Sequence, residues 1–319
     1  MNALRKLYKD SQFNNQLKLS FSSFVMILVS LSLAIAALDL LGTALIAISL
    51  QNLSNFESIH IMGDIYVSIY HVIAILILRV FFTTFLLYIQ GNIVYRFMAI
   101  ISQSVINKII LTKGTDQRID NDKVMQLCVT ESNNIGVGYL LPLVSVATEI
   151  LIVLAMTVYI YSFIGIQFVG LSVIILLLSL IYLISIRPYL KRLGNRRLVV
   201  ENDRISLINF ITYGIRELFC YGVESKFTSR YQRYSFESAG IGNRQQVLKN
   251  AQKYWLEASG IVSILLLVSF SPGLGMDELI LLGLYGYKVV PSANRITAGL
   301  SSITYYSSSI KLVNYHANH

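Results

Sequence analysis

Apolar residues in this chain come in long unbroken stretches, not in the alternation of half-buried strands or the three-and-four spacing of surface helices. Between Glu149 and Arg187 lie 37 consecutive residues without Lys, Arg, Asp or Glu. As helix that run is ~55 Å long, against a hydrocarbon core of ~30 Å. It must therefore fold back on itself, and the turn-forming residues near its middle are Ser162, Gly165 and Gln167. The other apolar windows, read in the same way, predict spans near Phe21 to Leu50, Ile65 to Tyr88, Tyr139 to Tyr161, Ile164 to Ile186, Tyr254 to Phe270 and Leu279 to about Thr304. The pattern predicts an all-α polytopic membrane protein with six transmembrane helices.

Two long polar connections separate these spans, at about 95–138 and 187–253, and both read as helices continuing out of the membrane. In the first, the turn residues are Thr112, Lys113, Gly114, Thr115, Asp116 and Gln117, after which a polar helix resumes over Arg118 to Glu131. In the second, Leu190, Leu193, Leu198, Ile205, Ile208, Ile211 and Ile215 recur at helical spacing among many charges. Two arms of ~25 residues would project ~37 Å from the bilayer, which suggests that something in the cytoplasm is being reached. The division expected is a cytoplasmic segment at 1–20, a six-helix membrane domain at 21–313 and a cytoplasmic tail at 314–319.

Composition and charge sharpen this picture. The chain is 55% hydrophobic and 13% charged, with mean hydropathy +0.61, too apolar for a soluble domain that covers its core with polar surface. The outer loops implied by six spans, 51–64, 162–167 and 271–278, contain Glu57, Asp64, Asp277 and Glu278 but no Lys or Arg. All basic loop residues fall on the other side, so both termini are expected in the cytoplasm of a cell bounded by an inner (plasma) membrane. The net charge of +9 is accounted for by this bias and by attraction to anionic lipid, without nucleic acid as a partner. The first apolar run is too long for a signal-peptide core and reads as a retained span. Cys128 and Cys220 both map to the cytoplasmic side and are expected as free thiols.

From Gly214 the chain reads Gly-Ile-Arg-Glu-Leu-Phe-Cys-Tyr-Gly-Val-Glu-Ser-Lys-Phe, ending at Phe227. This resembles the stretch after the second coupling helix of ABC exporters, where a Gly-x-[Arg/Lys]-x-[Leu/Val] segment leads through an aromatic position to Glu and Phe. Tyr139-Leu140-Leu141-Pro142-Leu143 with Glu149, and Gly286 to Ile296 around Pro291, resemble the lipid-linked-oligosaccharide flippase branch of the type IV ABC exporters. The resemblance implies two coupling helices. By position they would lie around Lys113, Gly114 and Asp116 and, near Val200 to Tyr213, around Asp203, Ser206 and Asn209. It also implies a homodimer with a shared cavity, fourth and fifth helices that cross to the partner subunit, and nucleotide-binding domains on which the coupling helices dock. The chain contains no Gly-Lys dipeptide, hence no G-x-x-x-x-G-K-[ST] phosphate cradle, and no Leu-Ser-Gly-Gly-Gln signature. ATP and Mg are therefore expected on an ATPase partner, as a separate chain or as a part following His319, and this chain alone is not expected to be an enzyme.

No catalytic or metal-binding constellation stands out. His60, His71, His316 and His319 show no ligand spacing. The informative residues are the ionisable ones within spans, Asp39, Arg79, Glu149, Lys288 and Arg295, which are costly in hydrocarbon and should face the bundle interior or a wet cavity. Tyr285, Lys288, Ser292, Arg295, Gly299 and Ser302 share one face of the sixth helix. That polar stripe suits the wall of a translocation path, with Arg79, Tyr285, Lys288, Ser292 and Arg295 as cavity candidates and an anionic, lipid-linked or amphipathic passenger favoured by the cations. Pro291, inside the stripe, removes a backbone hydrogen bond and permits a kink. The plainer alternative is that Lys288 and Arg295 pair with Asp39 or Glu149, or that Arg295 snorkels to the inner interface.

The function expected is the permease half of an ATP-driven exporter or flippase. Two others stand beside it: a secondary transporter or channel, for which no internal repeat is seen, and a degenerate, non-transporting membrane scaffold.

Overall fold

A computed structural model gives the structure of residues 21–53, 59–60, 66–67, 69–112, 121–164, 167–270 and 276–318, and the description that follows concerns these residues. They are almost entirely helical. Helix α1 is Phe21–Leu53, and a two-residue β-pair, β1 (Ile59–His60) with β2 (Tyr66–Val67), bridges it to α2, Ile69–Thr112. A short α3, Asn121–Met125, runs through two π-helical stretches, Gln126–Glu131 and Asn134–Leu140, into α4, Leu141–Ile164. Helix α5 is Gln167–Tyr213, α6 is Ile215–Tyr221, α7 is Glu224–Phe270 and α8 is Met276–Asn318. The chain is an all-α polytopic membrane protein.

At ~1.5 Å per residue, the 47 residues of α5 and the 47 of α7 each reach ~70 Å, more than twice the hydrocarbon thickness. Both helices therefore continue well beyond any bilayer they cross. Three stretches are long and apolar enough to span by length and composition, Met26–Ile46, Ile73–Ser104 and Gln126–Val158. The remaining sequence windows fall partly on 162–176 and 263–282, whose side chains lie outside the described residues. Along α2, Ile77, Val80, Phe81, Phe82, Phe85 and Leu87 are exposed in a continuous apolar surface that only lipid or another protein would cover.

Three buried clusters hold the bundle. Leu28, Val94, Phe97, Ile101, Ile135 and Val144 join α1, α2, the second π-helical stretch and α4. Ala36, Val146, Ile152, Met156, Tyr285, Val289 and Ala293 join α1, α4 and α8. Leu193, Val200, Ile241 and Tyr305 join α5, α7 and α8 outside those two. Polar contacts knit α5 to α7 along their extensions: Tyr182 donates to the Leu248 carbonyl at 2.8 Å, Arg196 to Glu237 at 2.7 Å, and Ser238 to Glu201 at 2.7 Å. The buried side of α5 passes through Leu190, Leu193, Arg197, Val200 and Leu207, whereas Ile208 and Ile215 are exposed. The stripe expected from sequence thus holds at Leu190 and Leu193 and leaves the packed face at Ile208, which follows buried Leu207 by one position and so points ~100° round the helix from it, while Ile215 belongs to α6.

Helix α5 continues past Pro188 and α8 past Pro291 without interruption. The two approach closely at Gly194, where a Cβ would collide with the carbonyl oxygen of Tyr305 and lie 3.1 Å from Ser308 Oγ. Because backbone, not a flexible side chain, fills that space, Gly194→Val is expected to destabilise the fold by about 1–3 kcal/mol. A lowered unfolding temperature of the purified chain, with Ala intermediate between Gly and Val, is the measurement that checks it.

Candidate functional site

Asp39 on α1 meets two cations from two other helices. Its Oδ1 pairs with Nη2 of Arg79 on α2, and its Oδ2 pairs with Nζ of Lys288 on α8. All three side chains are largely buried. Gly42, one turn beyond Asp39, leaves the space that the Arg79 guanidinium occupies, so a side chain there would displace it. One carboxylate between two cations leaves the group with an excess positive charge inside the bundle.

A second ionic set lies on the facing pair α4 and α8. Arg295 binds Glu149 with two nitrogens, Nε to Oε1 and Nη2 to Oε2, the latter at 3.1 Å, and Nη2 also reaches Ser292 Oγ at 3.3 Å. The two partners are unequally placed: the Arg295 side chain is 48% exposed and that of Glu149 only 11%.

Both sets open on one cavity of about 770 Å³. Its wall includes Asp39 from α1, Gln90 from α2, Ser145, Thr148 and Glu149 from α4, Lys249 from α7, and Lys288, Arg295, Gly299 and Ser302 from α8. Of the cavity residues named from sequence, Lys288 and Arg295 lie in this wall and are at the same time ion-paired, so the two sequence alternatives are combined. Arg79 stands behind Asp39, outside the wall. Tyr285 is packed among α1, α4 and α8, with its hydroxyl 3.3 Å from Thr157 Oγ1, and Ser292 is fully buried beneath Arg295. Lys249, Gln90 and Thr148 were not singled out from sequence. Lys249 sits in a run of polar residues that reads as solvated helix, and neutral Gln90 and Thr148 carry no signal among apolar neighbours.

Further along the same helices a buried ionic node joins α5, α8 and the first π-helical stretch. Arg197 Nη2 donates to Glu131 Oε2 at 3.1 Å and to Ser309 Oγ at 2.7 Å, with its guanidinium over the rings of Tyr305 and Tyr306 at 5.4 and 4.8 Å. Glu131 is completely buried. Burial pushes the Tyr305 phenol up to about 12, a rise that the Arg197 charge opposes. Sequence could have flagged Arg197, which stands at i, i+3, i+7 and i+10 with Leu190, Leu193 and Val200, a charge on an apolar stripe. A companion lock ties α7 to α8, where buried Gln252 donates to Thr297 and accepts from Ser301 Oγ at 3.1 Å.

At the far end, Asp203, Ser206 and Asn209 lie on the last turns of α5 and line a cleft of about 780 Å³ with Asp122, Glu217 and Arg230. Ser206 and Asn209 donate to the two oxygens of Asp122 at 2.6 and 2.5 Å, which fastens α3 to α5. Residues 200–213 are thus the end of a long helix, and the chain reverses through the separate short helix α6. Gly222, at φ +63, ends α6 in the left-handed region, and the Val223 N–H bonds back to the Leu218 carbonyl at 3.2 Å. Lys113, Gly114 and Asp116 lie outside the described residues. Among the described residues, no group of three His, Cys, Asp or Glu is placed to hold a metal ion. Cys128 and Cys220 are both free thiols.

No protein-family model matches the chain, and no curated protein matches it. Its fold is similar to that of a solved bacterial Atm1-family ABC exporter with ATP bound, with TM-score 0.68 and 12% sequence identity over 92% of this chain and 52% of that one. The chain therefore spans about half the length of the structure it matches. The likeness is one of fold.

The node makes a prediction of its own. Removing one member of a buried ion pair strands the other charge, so Glu131→Gln or Arg197→Met alone is expected to cost about 3–5 kcal/mol, while the double variant Glu131→Met with Arg197→Met should recover much of that loss. Thermal unfolding of the purified variants provides the comparison.

Proposed function

We propose that this chain is the membrane-spanning half of an ATP-driven exporter that moves an anionic amphipathic molecule, of the lipid-linked kind, by alternating access. The observation that carries the proposal is the sharing of Asp39 by Arg79 and Lys288 at the edge of a cavity. A cluster with one more cation than anion is costly to hold at membrane depth, and an anionic group entering the cavity relieves that cost. Lys249, in the same wall, adds to the positive side of the balance, whereas Arg295 there is matched by Glu149. The likeness in fold to an ABC exporter supports the class.

Motion would come from a partner ATPase holding ATP and Mg, supplied in trans or by a further part of the protein. Helix α6 is the element that suits docking. Around it Tyr213 and Tyr221 are 82% and 80% exposed, with Ile215 and Phe219 also open. Apolar and aromatic side chains presented at a helix reversal suit burial in a partner's cleft. Lys113, Gly114 and Asp116 would form the corresponding turn of the first connection. Two copies would close the cavity, and both termini would lie in the cytoplasm, in line with the basic side of the loops.

The test is reconstitution. The purified chain should hydrolyse no ATP, and the complex with its ATPase should show hydrolysis stimulated by an anionic amphiphile. Lys288→Ala is expected to weaken that stimulation about tenfold in apparent affinity, which corresponds to about 1.4 kcal/mol, without affecting basal hydrolysis of the complex to the same degree. ATP hydrolysis by this chain alone, or cysteine labelling that places 203–213 outside the cell, would overturn the proposal.

A further inference from the structure

The Arg295–Glu149 pair differs from the Asp39 cluster in a way that bears on selectivity. The Asp39 cluster carries excess positive charge, whereas Arg295 and Glu149 are one cation and one anion. Nε and Nη2 of Arg295 are both committed, to Glu149 and to fully buried Ser292. Nη1 has no partner among the described residues, and nearly half of the side chain is open. Arg295 thus presents one edge to the cavity while the other is clamped behind it. The clamp is rigid, because α4 and α8 are packed together at this level through Val146, Ile152, Val289, Ala293 and Ile296. Lys249 lines the same cavity from α7 and makes no ion pair among the described residues.

We infer that the open edge of Arg295, with Lys249, seats the oxyanion head group of the passenger, a phosphate or a carboxylate, and that Glu149 sets the strength of that seat by competing for the same guanidinium. The inference rests on the exporter proposal for the cavity and adds a residue that determines specificity. Glu149 orients Arg295 by a two-point contact and also cancels its charge. A planar guanidinium held on one edge can accept an oxyanion on the other without moving. With Glu149 ionised, the incoming anion meets a nearly neutral pair, so the seat is weak, as release on the far side of a transport cycle requires. Neutralising Glu149 leaves the cation uncompensated.

The experiment measures equilibrium binding of radiolabelled dodecyl phosphate to the full chain purified in dodecyl maltoside, with dodecylphosphocholine and inorganic phosphate as competitors. Glu149→Gln is expected to bind dodecyl phosphate roughly five- to tenfold more tightly than the native chain. Arg295→Gln should lose at least that much, and the double variant should match Arg295→Gln. Dodecylphosphocholine should compete poorly in every case, and inorganic phosphate should not compete at equal concentration. Glu149→Thr provides a second neutral variant should the glutamine fail to fold. Unchanged or weaker binding in a folded neutral variant, or a gain that persists without Arg295, would overturn the role of Glu149. Effective competition by inorganic phosphate would assign the seat to a free anion and overturn the amphiphile. None of these results depends on an ATPase, so failure of the exporter proposal and failure of the seat are read separately.

Discussion

Charge inside hydrocarbon has to be balanced within the protein, and this constraint organises the membrane part of the molecule. A helix can satisfy its own backbone hydrogen bonds, but a lysine or arginine on it has to find a partner on another helix. Asp39 meets that need for Arg79 and Lys288, drawing α1, α2 and α8 to one point. Glu149 meets it for Arg295, drawing α4 to α8. The pairs fix which faces of four helices look inward, and apolar packing of Ala36, Met156, Tyr285 and Val289 fills the space between. The cavity lies where the charges gather because side chains that prefer water or ions leave room that methyl groups would close.

The same principle operates at a second point along these helices, with a different consequence. Arg197 and Glu131 are buried among Tyr305, Tyr306 and Ser309. Replacing both by apolar residues would bury the space more cheaply. An ionic node in such a place fixes the register between α5 and α8 more sharply than apolar packing does, since a shift of one residue breaks its hydrogen bonds. The π-helical winding of Gln126–Glu131 and Asn134–Leu140 belongs to this arrangement, because it carries Glu131 into the node and places Ile135 in the core.

How much of this was legible in the sequence follows from which signals survive without a third dimension. Long apolar runs gave the helical membrane class, because they are a property of the chain alone. The ionisable residues within spans were visible as costs, and their pairing was visible as an alternative. What sequence cannot supply is the relative rotation of helices, so Tyr285 and Ser292 shared a stripe with Lys288 and Arg295 on paper but point into packing in the structure. Lys249 was hidden for the converse reason: it belongs to a helix whose local sequence is polar all round. At the far end α5 runs on through Pro188 to Tyr213, and the short helix α6 begins only after Gly214, a boundary that the local sequence marks by that glycine. Arg197 could have been found, since a lone charge at i+7 from a buried leucine is a pattern, not a contact.

Helix α8 ties these parts into one body. It carries Lys288 and Arg295 in the cavity wall and, 17 residues beyond Lys288, Tyr305 in the node, a distance of ~25 Å along a continuous helix. At the node it is clasped to α5, and α5 continues as a single helix to the aromatic tip at Tyr213. A force on the tip would therefore reach the cavity through two long helices joined by the ionic node and by the packing of Leu193, Gly194 and Val200 against Tyr305 and its neighbours. Close-packed interfaces of this kind do not deform gradually; they hold or they switch. If the tip is moved by a partner, the packed contact between α5 and α8, with the node in it, carries that motion toward the charges that line the cavity.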